Sequence, residues 1–555
     1  MSTKIQKILD AYRPDSRYST RVAYFSMEFA IDQALKTYSG GLGFLAGSHM
    51  RSAYALRQNM IGIGILWKNG YYDQTRYSDG SLKPAFVAKD YSFLEDTEII
   101  FTIRIHDSPV HVKAYLLKPD TFRTAPVFLL STDIEENDYV SRTISHNLYD
   151  SIESTRIAQS MLLGIGGAKL LDLLGIHINI YHMNEGHALP LTFYLYNKYG
   201  SIEEVKRRVV FTTHTPEMAG NEEHSVFTLN NMTFFDELPK EEAVRLVQSD
   251  GETISYTLSA LRMAKRSNAV SSIHRKVANE MWGSYNDISE IIGITNAQNK
   301  DYWTDPVMKE AFENDNDDLL VKRKKELKKA LFRIVADQCG KLFDPDVLTI
   351  VWARRFAGYK RAWLIMEDFE IFRELVSQQK TPVQIIWAGK PYPKSQPDLD
   401  LFNHIYNKTK NLDRCAVLLG YELELSAHLK KGSDIWLNTP RYAHEASGTS
   451  GMTAAMNGSV NLSVPDGWIP EFAKDGENAF LIDLADAALT QEEKDQQEAR
   501  NLIRKLKDEV LPLYYNDRKK WLKIQKQAAR DIHPFFDSDR MAIDYYNELY
   551  NYGKM

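Results

Sequence analysis

Cysteine is almost missing from this chain. Only Cys339 and Cys415 occur among 555 residues, far apart and in no metal-like spacing, which excludes a disulfide scaffold and a cysteine-rich zinc site and fits a reducing compartment. No run approaches the ~18 apolar residues of a membrane helix. The opening residues Met-Ser-Thr-Lys-Ile-Gln-Lys lack an apolar signal core, so a cytoplasmic protein with no membrane partner is expected. Positive charge is not in excess: the net charge is −6 and the pI 6.2, against a nucleic-acid partner. Internal repeats and low-complexity segments are absent. His182, His187, His214 and His224 lack H-E-x-x-H spacing and an accompanying acidic cluster, so no metal is expected. There is no G-x-S-x-G elbow. Ser39-Gly-Gly-Leu-Gly43 has the wrong glycine spacing for a dinucleotide fingerprint.

What is present is a long alternation of strands and helices. At 555 residues the chain is too long for one core, and its length suggests roughly two to four domains. Buried-strand runs occur at 22–27, 61–67, 178–182 and 208–213, with a helix expected over 44–57, helical periodicity over 151–174 and an antiparallel excursion through 70–130. Residues 302–336 are charged and helical, and the run Lys322-Arg-Lys-Lys-Glu-Leu-Lys-Lys329 is expected to be a solvated helix face. A second series begins with strands at 347–352, 383–387, 416–419, 434–437 and 460–463 and a helix at 361–376. Such alternation implies βαβ units and mainly parallel sheets. The expected fold class is α/β, with two doubly wound domains flanking a cleft and sites beyond the strand C-termini. The expected boundaries are 1–300, a helical connector at 301–340, a second domain at 341–525 and a terminal helix at 526–555 that returns to the first domain.

Three stretches carry chemistry. Glu445-Ala-Ser-Gly-Thr-Ser-Gly-Met-Thr-Ala-Ala-Met-Asn-Gly458 follows a short strand and offers backbone amides at a helix start, suited to an anion such as phosphate. A simple helix cap explains the same residues. Arg354-Arg-Phe-Ala-Gly-Tyr-Lys-Arg361 places Arg355 and Lys360 five apart across a turn, a spacing that brings a guanidinium and an ammonium onto one phosphate or diphosphate, or into surface salt bridges. Ser39-Gly-Gly-Leu-Gly43 lets backbone approach an anion closely. Asn184-Glu-Gly-His187 and Thr212-Thr-His-Thr-Pro216 bring histidines to strand ends.

Together these pieces resemble the α-glucan (glycogen, maltodextrin) phosphorylases in their shorter bacterial-archaeal form. The matching stretches, in order, are Tyr24-Phe-Ser-Met-Glu-Phe29, Ser39 to Gly47, Asn184-Glu-Gly-His187, Thr213-His-Thr215, Asn268-Ala-Val270 with His274, Thr295-Asn296, Arg354 to Arg361, Trp387-Ala-Gly-Lys390, Glu445 to Thr449 and Ser538-Asp-Arg-Met541. The resemblance implies a GT-B fold, two Rossmann-like domains facing across a cleft, and retaining transfer of glucosyl units on α-1,4-glucans. It also implies site residues. Gly40 and Gly41 resemble the loop that holds the glucosyl phosphate, and His214 the residue whose backbone carbonyl lies near the anomeric carbon. Asn268 resembles a glucose-hydroxyl ligand, and Glu445 the carboxylate bonded to the sugar 3-hydroxyl. Arg355 and Lys360 match the basic pair on the transferring phosphate, with the amides of Gly448 and Thr449 beside them.

One departure matters most. Eight residues after Glu445, where the family has the lysine that binds pyridoxal phosphate as a Schiff base, this chain has Thr453. A hydroxyl forms no imine, so covalent attachment at that position is excluded. Asn296-Ala-Gln-Asn299 also replaces the family's Asn-Gly-Val-His run, and Ser48 stands where an acidic residue is common. Nucleotide-sugar relatives in the same superfamily keep the basic pair and carry a second glutamate on the ribose; Thr453 either bonds a ribose there or fills space. The expectation is therefore a pyridoxal-independent hexosyltransferase, with no cofactor, that takes glucose from a nucleotide-sugar or glucose 1-phosphate to an α-glucan; a homo-oligomer is left open. The alternatives are a phosphorylase holding pyridoxal phosphate (PLP) non-covalently and a non-catalytic glucan-binding protein.

Overall fold

The computed structural model describes residues 3–553. The chain forms two compact units. The first comprises Met1–Tyr72, Phe86–Asn296 and Ser538–Met555, and the second Asp73–Ala85 and Ala297–Asp537.

The first unit is built on a nine-stranded sheet. Its strands run Ile291–Gly293, Arg266–Ala269, Val209–Thr212, Ile180–Asn184, Val22–Phe25, Met60–Ile65, Val127–Ser131, Ser108–Leu117 and Glu95–Ile105. The strands from Ile291–Gly293 to Val127–Ser131 pair parallel, and the last two pair antiparallel as a hairpin on that edge. The hairpin shows the alternation its sequence predicts, while Val22–Phe25 and Met60–Ile65 are buried at every position, as strands covered on both faces must be. Order along the sheet reverses between Val22–Phe25 and Ile180–Asn184. A reversal of this kind is where open α/β sheets place their ligand crevice.

The second unit has a six-stranded sheet, parallel throughout: Cys415–Leu418, Val383–Ala388, Leu348–Ala353, Ile435–Asn438, Val460–Ser463 and Ala479–Leu481. Numbered along the chain within this unit the order is 3-2-1-4-5-6, the order of a Rossmann sheet. Both faces are covered. Ile350, Trp352, Ile385, Trp387 and Val417 pack into one core, and Val351, Ala353, Ile386, Ala388 and Ala416 into another. That is why these strands read as unbroken apolar runs. The switch point lies between Leu348–Ala353 and Ile435–Asn438, and the two chemistry-bearing stretches of this unit leave those strands.

A short hairpin, Asp73–Arg76 with Leu82–Ala85, belongs to the second unit through specific bonds. The Gln74 amide donates to the Gly389 carbonyl at 2.9 Å and Arg76 Nη2 donates to the Val417 carbonyl at 2.9 Å.

In the second unit two helix expectations change. The helix expected from Arg361 begins only at Phe369, after two short 3-10 turns. Arg361 has φ 46°, a left-handed conformation no helix continues through. Its buried guanidinium bonds the Thr439 and Pro440 carbonyls, Asp495 and Glu498, tying the turn after Ala353 to the turn after Asn438. The basic helix, Asp317–Cys339, is not solvated all round either: Lys324 and Lys328 are buried in the stripe of Leu320, Leu327, Leu331 and Val335. Burial pulls the Lys324 ammonium down to about 7, and its Nζ donates to the carbonyls of Lys431 and Asn457.

Candidate functional site

In the second unit the loops at the switch point bring one carboxylate to two cations. Glu445 Oε2 accepts from Lys360 Nζ at 2.6 Å and from Arg354 Nη1 at 3.1 Å. Arg354 Nη2 also donates to Asn438 Oδ1. All three side chains are largely buried, with 7–12% of their surface exposed. Burial pushes the Glu445 carboxyl up, but Lys360 and then Arg354 outweigh it and hold it below the usual range.

The backbone before Glu445 is fixed by a second carboxylate. Asp466 Oδ2 accepts from the N–H of Glu445 at 2.9 Å and of His444 at 3.2 Å, and Oδ1 accepts from the Gly467 N–H at 2.8 Å. A side chain on Gly467 would collide with the Ser447 carbonyl, so this turn lies directly against the loop. Burial, then the charge of Glu445, push Asp466 up to about 6. A carboxyl raised in the fold contributes stability that is complete below its unfolded value near 4 and lost as pH rises through about 6. Asp466→Asn carries no such dependence. Thermal unfolding of both proteins at pH 4, 5, 6 and 7 is therefore expected to show the variant gaining on the parent with rising pH. Parallel curves would remove the basis for this shift.

Arg355 acts on Glu445 through its charge, more weakly than Lys360 and Arg354. It is exposed, with Nη2 3.5 Å from the Tyr359 hydroxyl. Of the two adjacent arginines it is Arg354 that the structure brings to Glu445. Gly448 takes φ +83°, and a side chain there would press on Glu445; Thr449 precedes a helix of only six residues, Ser450–Ala455. Thr453 is fully buried in that helix, with Oγ1 donating to the Ser450 carbonyl at 3.0 Å. Pyridoxal phosphate, which the resemblance brings in, therefore finds a satisfied hydroxyl at 453 and an ammonium at 360 already paired with Glu445. These residues do not fit the covalent cofactor.

In the first unit the glycine loop and His214 lie at strand ends beside the other switch point. The helix expected from Phe44 starts at Gly41. Buried Glu28 organises its approach: Oε2 accepts from the N–H of Ser39 at 2.7 Å and of Gly40 at 3.1 Å. Oε1 accepts from Ser39 Oγ at 2.8 Å and Tyr149 OH at 2.6 Å. The Gly40 amide is thus engaged internally. Added side chains at Gly40 and Gly41 would meet nothing within 4 Å, whereas one at Gly47 would collide with the Ala30 carbonyl. Packing accounts for Gly47 and leaves the space beside Gly40 and Gly41 open.

His214 follows the strand Val209–Thr212. Its Nε2 donates to Asn184 Oδ1 at 2.7 Å, and burial, then neighbouring His274 and His187, pull it down to about 3, so the ring is neutral at pH 7. Its backbone N–H donates to Glu185 Oε1 at 2.7 Å. Asn268 is a core residue: fully buried, with Oδ1 accepting from Thr212 Oγ1 at 2.6 Å and Nδ2 donating to the Ala269 carbonyl and to Tyr545 OH. His182 is likewise engaged with Tyr550 and Thr212. Sequence reasoning missed Arg354, Glu28, Glu185 and Asp466. The only available signals were an acid inside a quoted motif for two of them and a neighbouring arginine for another.

Comparison with known proteins adds ancestry to this geometry. The carbohydrate phosphorylase family profile matches residues 285–511. An uncharacterized protein of Methanocaldococcus jannaschii is 46% identical over 529 residues, 95% of this chain and 99% of that protein. The maltodextrin phosphorylase of Thermococcus litoralis is 32% identical over 596 residues, 96% of this chain and 71% of the relative. The glycogen phosphorylase of Aquifex aeolicus is 30% identical over 611 residues, 97% and 87% of the two chains. Identity at this level across most of both sequences establishes that the chain belongs to the α-glucan phosphorylase family.

Proposed function

We propose that this chain is a retaining glycosyltransferase that works without pyridoxal phosphate and moves glucose from a nucleotide-sugar donor to an α-1,4-glucan, its two sheets being the Rossmann-like halves of a GT-B enzyme. One observation carries the proposal: a buried basic pair on Glu445 persists at the switch point, while the cofactor lysine position holds Thr453 with its hydroxyl already bonded. A site that keeps cations and lacks the cofactor amine still asks for an anionic leaving group, and a nucleoside diphosphate brings both phosphates itself.

In this scheme Lys360, with Arg355 reaching in from the surface, stabilises the departing phosphate, and the amides of Gly41, Gly448 and Thr449 assist. Arg354 orients Glu445, whose carboxylate takes a sugar hydroxyl. The backbone carbonyl of His214 faces the positive charge that develops at the reacting carbon. The neutral His214 ring is held by Asn184 and is not the base. Proton transfer to the leaving phosphate serves the acceptor hydroxyl.

A second reading is supported by the relatives, two of which are named maltodextrin and glycogen phosphorylase: a phosphorylase with the cofactor held non-covalently. One experiment separates the two. Purified protein is incubated with a maltodextrin and, separately, UDP-, ADP- and GDP-glucose or glucose 1-phosphate with and without added pyridoxal phosphate, and its absorbance is recorded. Chain extension from a nucleotide sugar with no pyridoxal band is expected. Stoichiometric pyridoxal absorbance, with transfer from glucose 1-phosphate only, overturns the proposal in favour of the second reading.

A further inference from the structure

The motif Asn184-Glu-Gly-His187 draws the eye to its histidine, yet its glutamate has the more unusual place. Glu185 has φ 76° and ψ 168°, a region that side-chain-bearing residues avoid and that persists only where surrounding structure over-determines it, most often at functional sites. Among the described residues, the other positive-φ positions with a side chain have smaller values, between 46° and 66°. Glu185 N–H donates to the Thr212 carbonyl at 2.9 Å, so the end of one parallel strand is locked to its neighbour.

The strained backbone aims a buried carboxylate at one peptide. Glu185 Oε1 accepts from the His214 N–H at 2.7 Å and from Thr215 Oγ1 at 2.9 Å. The His214 carbonyl lies between these two anchors, the His214 N–H on one side and the Thr215 side chain on the other, so the residues flanking that peptide are fastened to one oxygen. Preceding residue Asn184 holds the His214 ring at 2.7 Å and is itself bonded to Ser26 Oγ at 3.2 Å. Two consecutive residues thus grip the ring and the backbone of His214 from the same strand end. Burial raises the Glu185 carboxyl, against the bonds from His214 and Thr215 that favour its charge. A buried carboxylate held in strained backbone, with one oxygen bonded on both sides of one peptide, is committed to that peptide rather than to packing.

We propose that Glu185 is a positioning residue that fixes the rotation of the 214–215 peptide and so the direction of the His214 carbonyl. Its catalytic consequence rests on the function proposed above, in which that carbonyl faces the reacting carbon; its structural consequence does not. Glu185→Gly relieves the backbone strain and removes the carboxylate, and Glu185→Gln keeps the shape while one oxygen becomes a donor. Two arms test the idea on the full-length protein. Amide hydrogen exchange of peptides spanning 210–217 is expected to speed at least about tenfold in both variants, with the apparent Tm of Glu185→Gly close to that of the parent. With the donor that proves active, kcat is expected to fall about 100-fold while the KM for maltodextrin stays within about twofold, the signature of a misplaced group rather than lost binding. Unchanged exchange in Glu185→Gly overturns the inference whether or not the parent transfers glucose. Faster exchange with undiminished kcat overturns it too. A parent inactive with every donor refutes the proposed function alone, and the exchange arm then decides whether Glu185 is the clamp.

Discussion

Replacing Lys360 with methionine is expected to lower kcat about 100- to 1,000-fold, or about 3–4 kcal/mol in the barrier, while the protein stays folded. Methionine retains the apolar stem, so the change isolates the ammonium. That ammonium lies 2.6 Å from Glu445 Oε2, with only 11% of the side chain exposed, where charge is poorly screened and acts strongly on a departing phosphate. It leaves a strand end at the switch point and sits one residue before Arg361, whose four bonds hold the turn rigid. Its position is therefore set before any ligand arrives. Loss of Lys360 also removes the strongest opposing pull on the Glu445 carboxyl, so the acid limb of the pH–rate profile moves to higher pH. Lys360→Arg is expected to recover little, because a planar fork does not occupy the place of a point charge. Steady-state kinetics on the active donor, with circular dichroism to confirm folding, make the check. A change in kcat below about threefold would leave the electrostatic role without support.

The same loop shows what is legible in the sequence and what is not. Strand ends, loop order and the parallel alternation can be followed because strands covered on both faces must be apolar throughout, as in Leu348–Ala353 and Val383–Ala388. Which of two adjacent arginines turns inward cannot, because that depends on where the strand stops and the backbone bends. Arg354 is 7% exposed and reaches Glu445, 91 positions along the chain, while Arg355 faces solvent. Glu28 and Glu185 are visible in the sequence only as motif letters; their work lies in bonds to Ser39, Gly40 and His214, made across loops. The Asp73–Ala85 hairpin has no local signature for the unit it joins, since its tethers are the carbonyls of Gly389 and Val417. The basic helix differs from these. Leu320, Lys324, Leu327, Lys328 and Leu331 already form a helical stripe in the sequence, and a reading weighted by charge alone passes over its inward face.

That stripe leads to the largest expected loss of stability. Lys328 and Asp434 are each about 2% exposed, with Nζ and Oδ2 2.5 Å apart. Nζ also donates to the Val347 carbonyl at 2.7 Å, and Oδ2 also accepts from the Thr349 N–H at 2.9 Å. The pair therefore joins the basic helix to the two strands that bound the switch point. Lys328→Met is expected to destabilise the second unit by about 3–5 kcal/mol, because it strands a carboxylate in a dry interior. Much of that loss is the penalty of the orphaned charge rather than the worth of the pair, so neutralising the partner should recover part of it. The side-chain amide introduced by Asp434→Asn still offers an oxygen to the Thr349 N–H. The double variant Lys328→Met/Asp434→Asn is accordingly expected to be more stable, by at least about 1 kcal/mol, than the sum of the two single losses would make it, as residues sharing one bond are. Urea unfolding of the four proteins at pH 7, followed by tryptophan fluorescence, closes the cycle, since Trp352, Trp387 and Trp436 report on the same sheet. Strictly additive losses would mean that the two charges, though in contact, stabilise the fold independently, and that the helix is held to the sheet by its leucines alone.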